Sequence, residues 1–379
     1  MTTVDGEKAG LYATKARPEK PPRDRYFDAL RAAAIIRIVC YHTLGFGWLS
    51  LIFPSMGVMF ALGGSLMAKS VDRSAEQAVT GRLRRLLPAL WVFGAIVVPA
   101  MFWAGWADRP NWTRFLMWVV PIVEPPSSSW AEPATGVLWY LVAYLWMVLL
   151  SPVLLKLYRR WRLPTIIVPL LLLVPWDNLP LPVGEHLASA VTDVLTFVAC
   201  WVIGFAHREG DLARVRFAVL VPVSVVLVSS GLAWTLTHPG EEGIDLANEP
   251  IAYGLYSLGF TLLLLRISPS MAWLTRRRWL NGLVNFCNAR AVTIYLWHNI
   301  AITLALLGVG LIEGDGMDVW LENVAMFGLL FVLLAGFVAV FGWVEDVAAR
   351  RPVRLLPWHT VPASRPRKVT PEWCGPVWF

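Results

Sequence analysis

The chain has 379 residues, of which 57% are hydrophobic and 16% charged, and its formal net charge is +7. A soluble domain carries about 25% charged residues, so this composition excludes a soluble globular protein and leaves no soluble module of useful size. The positive charge is not a nucleic-acid signature, because nearly all the basic residues fall in alternate loops between apolar segments.

In chain order, residues 1–25 are polar, basic and proline-rich and are expected to form a disordered cytoplasmic arm. No small-residue cleavage site follows the first apolar run, so no signal peptide is read. Apolar stretches of membrane length then occur at 27–48, 51–68, 86–106, 135–155, 163–180, 188–206, 217–236, 250–267, 290–312 and 322–344. They predict an all-α polytopic membrane domain of ten transmembrane helices over 26–344, with a cytoplasmic basic tail at 345–379. A short turn near Gly47 to Leu51 joins the first two. The second is rich in small residues (Gly57, Ala61, Gly63, Gly64, Ser65), which predicts close packing against the first and room for a ligand beside His42. Residues 107–134 make the longest outer loop, and its apolar part, Phe115 to Val123, is expected in the interface with the tryptophans Trp106, Trp112, Trp118 and Trp130. Pro164, Pro169, Pro175 and Pro180 interrupt the fifth stretch.

With the N-terminus placed in the cytoplasm, 30 of the 33 Lys and Arg residues fall in inside segments. Only Arg109 and Arg114 lie outside, and Arg37 is within the first helix. The outer loops are acidic instead, with Glu241, Glu242, Asp245 and Glu249 in one and Glu313, Asp315 and Asp318 in another. Both termini are therefore expected in the cytoplasm of a plasma or inner membrane protein. Cys40, Cys200, Cys287 and Cys374 lack metal-ligand spacing, and neither disulfides nor a metal site is expected.

The first apolar segment carries Arg31, Arg37 and His42. A charged side chain near a bilayer centre costs roughly 2.5–3.5 kcal/mol on insertion scales, so a segment that only had to span would not carry them. At about 100° per residue, Arg31 and His42 differ by about 20° and share a face, roughly 16 Å apart along the axis. Asp28 falls within about 40° of His42, whereas Arg37 points about 120° from the Arg31 line. Arg31 reads either as a positive-inside anchor or as a contact for an anionic ligand, since guanidinium pairs bidentately with phosphate. Arg82, Arg84 and Arg85 precede Pro88, and the spacing puts Arg82 and Arg85 on one face, where they can join the same anion site. His42, about two-thirds of the way across, reads either as a structural histidine or as a base for a hydroxyl proton. Tyr295 and His298 share a face of the ninth helix, and Asp193 is an unpaired acid in the sixth; each is a site candidate or a partner for a neighbouring helix. His186, His207, His238 and His359 are in loops and receive no role.

These residues resemble the acyltransferase-3 family of integral membrane acyltransferases over residues 26–344. Asp28, Arg31 and His42 match the family's Asp-x-x-Arg, ten residues, His in the first helix. Arg82, Arg85 and Pro88 match its Arg-x-x-Arg before a proline; Trp139, Tyr140 and Leu141 match a Trp-aromatic-Leu opening of the fourth helix; Tyr295, Leu296 and His298 match a late Tyr-Leu-x-His. The second helix departs from the family's Phe-Phe-x-x-Ser-Gly-Phe, reading Met59-Phe60-Ala61-Leu62-Gly63-Gly64-Ser65, which implies a differently shaped cavity. Some members carry an extracytoplasmic esterase-like domain after the helices; with residues 345–379 following Val344, a stand-alone form is expected.

The resemblance implies an acyl-CoA donor, expected to be acetyl-CoA, and a hydroxyl acceptor on an extracytoplasmic glycan or glycolipid. It implies that Arg31, Arg82 and Arg85 hold the CoA phosphates and that His42 acts as general base or relays the acyl group. Asp28, Trp139, Tyr295 and His298 would support them, with no bound cofactor, no metal and membrane lipids as surroundings. Acceptor candidates include a cell-envelope lipid of the trehalose mycolate type, a polysaccharide, peptidoglycan or a secreted glycoside. A lipid-linked glycosyltransferase is disfavoured, because the turn from Phe46 to Ile52 holds no carboxylate. A glycolipid or anion transporter or flippase stays open beside the acyltransferase, although no internal repeat favours it.

Overall fold

The computed structural model describes residues 24–107, 109–178, 183–240, 243–312 and 318–354. Most of the expected arm (1–23), the tail from 355 onward with His359 and Cys374, and the loop acids Glu241, Glu242, Glu313 and Asp315 lie outside the described residues. The longer helices are α1 (Arg25–Leu44), α2 (Ser55–Val71), α3 (Ala75–Trp103), α4 (Leu138–Arg160), α5 (Arg162–Asn178), α6 (Glu185–Glu209), α7 (Phe217–Thr237), α8 (Pro250–Ile267), α9 (Arg278–Ala289), α10 (Ala291–Ile312) and α11 (Val319–Ala348). No β-strand occurs among the described residues.

Eight helical stretches among the described residues are long and apolar enough to cross a membrane. They correspond to eight of the ten expected spans. The other two are also helices: α1, which holds Arg25, Asp28, Arg31 and Arg37 within 20 residues, and α5, which is only 17 residues long. The outward faces are apolar, with Val219, Val225 and Val226 on α7 and Phe331 and Val332 on α11 all exposed. A soluble surface does not present whole helix faces of this kind, so the chain is a multi-pass, all-α membrane protein.

Local chemistry sets the helix ends. The Asp24 carboxylate accepts from the Tyr26 and Phe27 amides and starts α1 at Arg25, inside the segment expected to be disordered. Arg31 is therefore about 9 Å into the helix rather than at its mouth. Gly45, at φ 65°, supplies the left-handed residue that ends α1. The amphipathic helix α9 was not among the expected elements. Its Leu280, Leu283, Val284 and Cys287 pack with Ala29 and Ala32 of α1.

The packing centre is α6, which touches α2, α4, α5 and α8. The first helix does pack on α2, but the closest approaches of the α2 glycines are elsewhere: Gly63 and Gly64 meet Trp201 of α6, and Gly57 meets Ser257 of α8. A Cβ on Gly64 would lie 2.0 Å from the Trp201 carbonyl oxygen, and one on Gly204 would lie 2.1 Å from that of Ala61. Both helices thus meet backbone to backbone. Trp201 is fully buried in this seam and donates to the Ser151 hydroxyl at 3.0 Å. On the other side, α1 packs on α2, α9 and α10, and α11 lies between α10 and α3.

The arginine-rich helix ends gather on one face. Arg159 at the end of α4 pairs with Asp72 after α2 and Glu209 at the end of α6, both at 2.6 Å. Buried Arg290, before α10, pairs with Asp346 of α11 at 2.8 Å. The four tryptophans expected at the interface differ in exposure. Trp112 and Trp130 are exposed, but Trp106 and Trp118 are buried, and Trp118 lies over Gly94 and beside Phe93 at 6.3 Å.

Candidate active site

At the arginine-rich face, seven helices line a cavity of about 410 Å³. Arg31 reaches it from α1, and Arg82 and Arg85 reach it from α3. Arg84 does not line it, as the i, i+3 spacing of the other two requires. Gly63 of α2 also lines it, and a Cβ there would meet the Trp201 ring at 2.7 Å and the Tyr144 ring at 3.2 Å, so the glycine lets those rings approach. Among the described residues none of the three guanidinium groups is within ion-pair distance of a carboxylate. Arg31 donates to the Asn288 amide oxygen at 3.2 Å, and Arg82 to the Tyr144 hydroxyl at 3.3 Å. Glu345 also lines the cavity, but its carboxylate accepts from the amide (2.8 Å) and hydroxyl (2.6 Å) of Thr293 at the start of α10. The result is a cluster of like charges whose mutual repulsion a bound anion would relieve.

Several cavity residues were missed in the sequence. Asn288 holds Arg31 and is itself fixed by donating to the backbone oxygen of Asp28 at 2.7 Å. Arg351, beyond α11, adds a further guanidinium, paired with Asp346 at 3.1 Å. Tyr140 and Tyr144 form the wall on α4. The expected Trp139 does not line the cavity; it stacks on Phe197 at 5.9 Å, one helix position away from Tyr140. Asp28 pairs with Arg25 at 3.1 Å and so braces the start of α1.

Tyr295 leads from this cavity to the histidines. Its ring lines the cavity and lies 5.2 Å from Tyr140 and 5.8 Å from His298. Its hydroxyl donates to the Val137 carbonyl at 2.6 Å. The rings of His298 and His42 are 5.1 Å apart. His42 is exposed, and His298 behind it is completely buried. The arrangement unites Arg31, Arg82, Arg85, Tyr295, His298 and His42 along one line of contacts.

The remaining candidates sit elsewhere. Arg37 donates from Nε to the Leu49 carbonyl at 3.1 Å and lies 4.6 Å over the Tyr41 ring, and the Tyr41 hydroxyl donates to Asp245. This explains the third charge of α1 as a tie between the helix and the neighbouring loops. Asp193 lies within electrostatic reach of Glu124 in the 107–134 loop. Burial holds the Glu124 carboxyl above the usual carboxylate range, and the charge of Glu132 adds to that. His207, given no role from the sequence, meets the Ser65 hydroxyl at 3.1 Å and Phe27 at 5.2 Å. A larger groove of about 680 Å³ runs between α5 and α7; its lining is mostly Leu, Ile and Val, and its polar residues Tyr158 and Arg162 are both tied to Asp211, at 2.8 and 3.1 Å.

The acyltransferase domain family matches residues 24–344 of the chain. A curated relative, Nodulation protein 10 of Rhizobium leguminosarum bv. viciae, is 27% identical over 168 residues, covering 36% of this chain. The match spans 45% of that relative's length, less than half. No solved structure is significantly similar.

Proposed function

The chain belongs to the acyltransferase-3 family, and from that footing we propose that it is a membrane O-acyltransferase. It moves an acyl group, acetyl in the simplest case, from cytoplasmic acyl-CoA to a hydroxyl of an extracytoplasmic glycan or glycolipid. The arginine-rich face is the cytoplasmic face of the cell membrane, with both termini on that side, in keeping with the charge bias. A cell-envelope glycolipid of the trehalose mycolate type is one acceptor of the right chemistry.

The observation that carries this reading is the convergence of Arg31, Arg82 and Arg85 on one cavity, none of them ion-paired with a carboxylate among the described residues. Guanidinium groups placed so suit phosphate, which they bind with charge-assisted hydrogen bonds. In the reaction, a neutral His42 takes the proton from the acceptor hydroxyl, and the oxygen attacks the thioester carbonyl. The tetrahedral intermediate collapses, the C–S bond breaks, and the leaving thiolate takes the proton back from His42. Tyr295 and His298 connect the donor cavity to this point. A carrier of glycolipids would use the arginines equally, but it would have no use for an exposed histidine backed by a buried one.

The donor assignment is tested by Arg31→Ala. Losing a charge-assisted hydrogen bond is worth about 1.5–3 kcal/mol, so acyl-CoA affinity should fall by roughly 10- to 100-fold. Calorimetric titration of the purified protein with acetyl-CoA measures this directly. Unchanged affinity would remove Arg31 from the donor site.

A further inference from the structure

His298 Nε2 is a buried nitrogen with no hydrogen-bond partner, on a side chain with 0% exposure. The other ring nitrogen explains its state. Nδ1 lies 2.6 Å from the Tyr295 carbonyl oxygen, which can only accept, so Nδ1 carries the proton. Nε2 of the neutral ring is therefore an acceptor. Protonating it as well would bury an unpaired imidazolium in a fully enclosed position, which costs far more than leaving the ring neutral.

The ring in reach is that of His42, at 5.1 Å between centroids and an interplanar angle of 50°. His42 is exposed, so its side chain can turn. On its other side the Tyr41 ring lies edge-on at 5.0 Å and 84°, which confines that turn. The charged and titratable groups that face the pair are Arg37 and Tyr41 on α1, Tyr295 on α10 and Asp245 on the loop before α8. The carboxylate among them, Asp245, already accepts from the Tyr41 hydroxyl.

We propose that His298 is the positioning residue of His42: its Nε2 accepts a hydrogen bond from one His42 ring N–H and leaves the lone pair of the other His42 nitrogen on the open side, toward the acceptor hydroxyl. A buried neutral histidine thus stands where a carboxylate orients the base in other nucleophile-activating sites. The proposal rests on the reading of His42 as the general base. It gives the late Tyr-Leu-x-His segment two separate tasks, since the Tyr295 backbone sets the His298 tautomer and His298 sets that of His42.

The test compares full-length wild type, His298→Phe and His298→Gln in lipid nanodiscs. Phenylalanine keeps a ring but offers no acceptor, whereas the glutamine amide oxygen offers one near the Nε2 position. The first readout is the rate at which diethyl pyrocarbonate acylates His42, followed by peptide mass spectrometry. It needs no acceptor substrate. The second is acetyl transfer from radiolabelled acetyl-CoA in native membrane vesicles. His298→Phe should lower both by about 10- to 100-fold, the scale on which a lost ring-orienting partner acts. Acetyl-CoA affinity should be unchanged, because His298 does not line the arginine cavity. His298→Gln should recover most of the loss. Equal impairment by both substitutions, or unaltered His42 reactivity in the phenylalanine variant, would overturn the proposal.

If His298→Phe does not fold, ¹⁵N spectra of histidine-labelled wild type decide the matter. One fixed His42 tautomer supports the proposal, and the mixture of a free imidazole overturns it. Transfer that survives His42→Ala would instead defeat the parent reading, and would leave the tautomer result standing.

Discussion

His42→Ala is expected to lower acyl transfer by about 100- to 10,000-fold, the contribution of a positioned general base. The protein should remain folded, because the side chain is exposed and its removal opens no core cavity. Acetyl-CoA binding should also survive, since the arginine cavity is lined without His42. The measurement is transfer of labelled acetyl groups to membrane acceptors, paired with calorimetric binding of acetyl-CoA to the same preparation. Retained transfer would show that the hydroxyl is activated elsewhere. Lost transfer together with lost binding would make His42 a donor-site residue rather than a base.

The largest effect on stability should come from Gly204→Ala in the α2–α6 seam. In an exposed helix this change is favourable by about 1 kcal/mol. Here the new methyl would meet the Ala61 carbonyl oxygen at 2.1 Å and the Ser65 amide nitrogen at 2.5 Å. Both obstacles are backbone and cannot rotate away, so the helices must separate. The cost should reach about 3 kcal/mol, the upper end of overpacking penalties, which overwhelms the propensity gain. Gly81→Ala, where a Cβ meets nothing within 4 Å, isolates the propensity term and should stabilise slightly. Thermal unfolding in detergent, followed by size-exclusion chromatography, separates the two. A Gly204→Ala protein as stable as wild type would mean that the seam can widen without penalty.

Much of the site was legible because it rests on helix periodicity. The eleven-residue step from Arg31 to His42 and the three-residue step from Arg82 to Arg85 depend only on residues per turn. The structure places both arginines of the second pair, and not Arg84, at the cavity. What could not be read were contacts between distant segments. Nothing near Arg31 in sequence points to Asn288, 257 positions away, or to Arg351 on the far side of α11. The small residues of α2 announced a close approach but not its partner, since spacing along α2 alone does not say which neighbouring helix it meets. The helix α9 did carry a readable i, i+3, i+4, i+7 pattern at Leu280, Leu283, Val284 and Cys287, but the arginines at 276–278, just before it and at its first position, put the region among the basic inside segments. The burial of Trp118 could not be read either, because a tryptophan satisfies composition equally well facing outward or facing Gly94.

The helix that carries both Arg31 and His42 is fastened at each end. At one end Arg25 binds Asp28, Asn281 and Asn285, and the Tyr26 hydroxyl donates to the Leu264 carbonyl of α8 at 2.9 Å. At the other, Tyr41 holds Asp245, and the Ser50 hydroxyl receives the Leu246 amide at 3.1 Å. A rod pinned at both ends neither slides nor tilts without breaking several bonds at once. In the proposed reaction the two substrates would then do the travelling, and α1 would serve as a fixed ruler that sets how far the donor's reactive end has to reach.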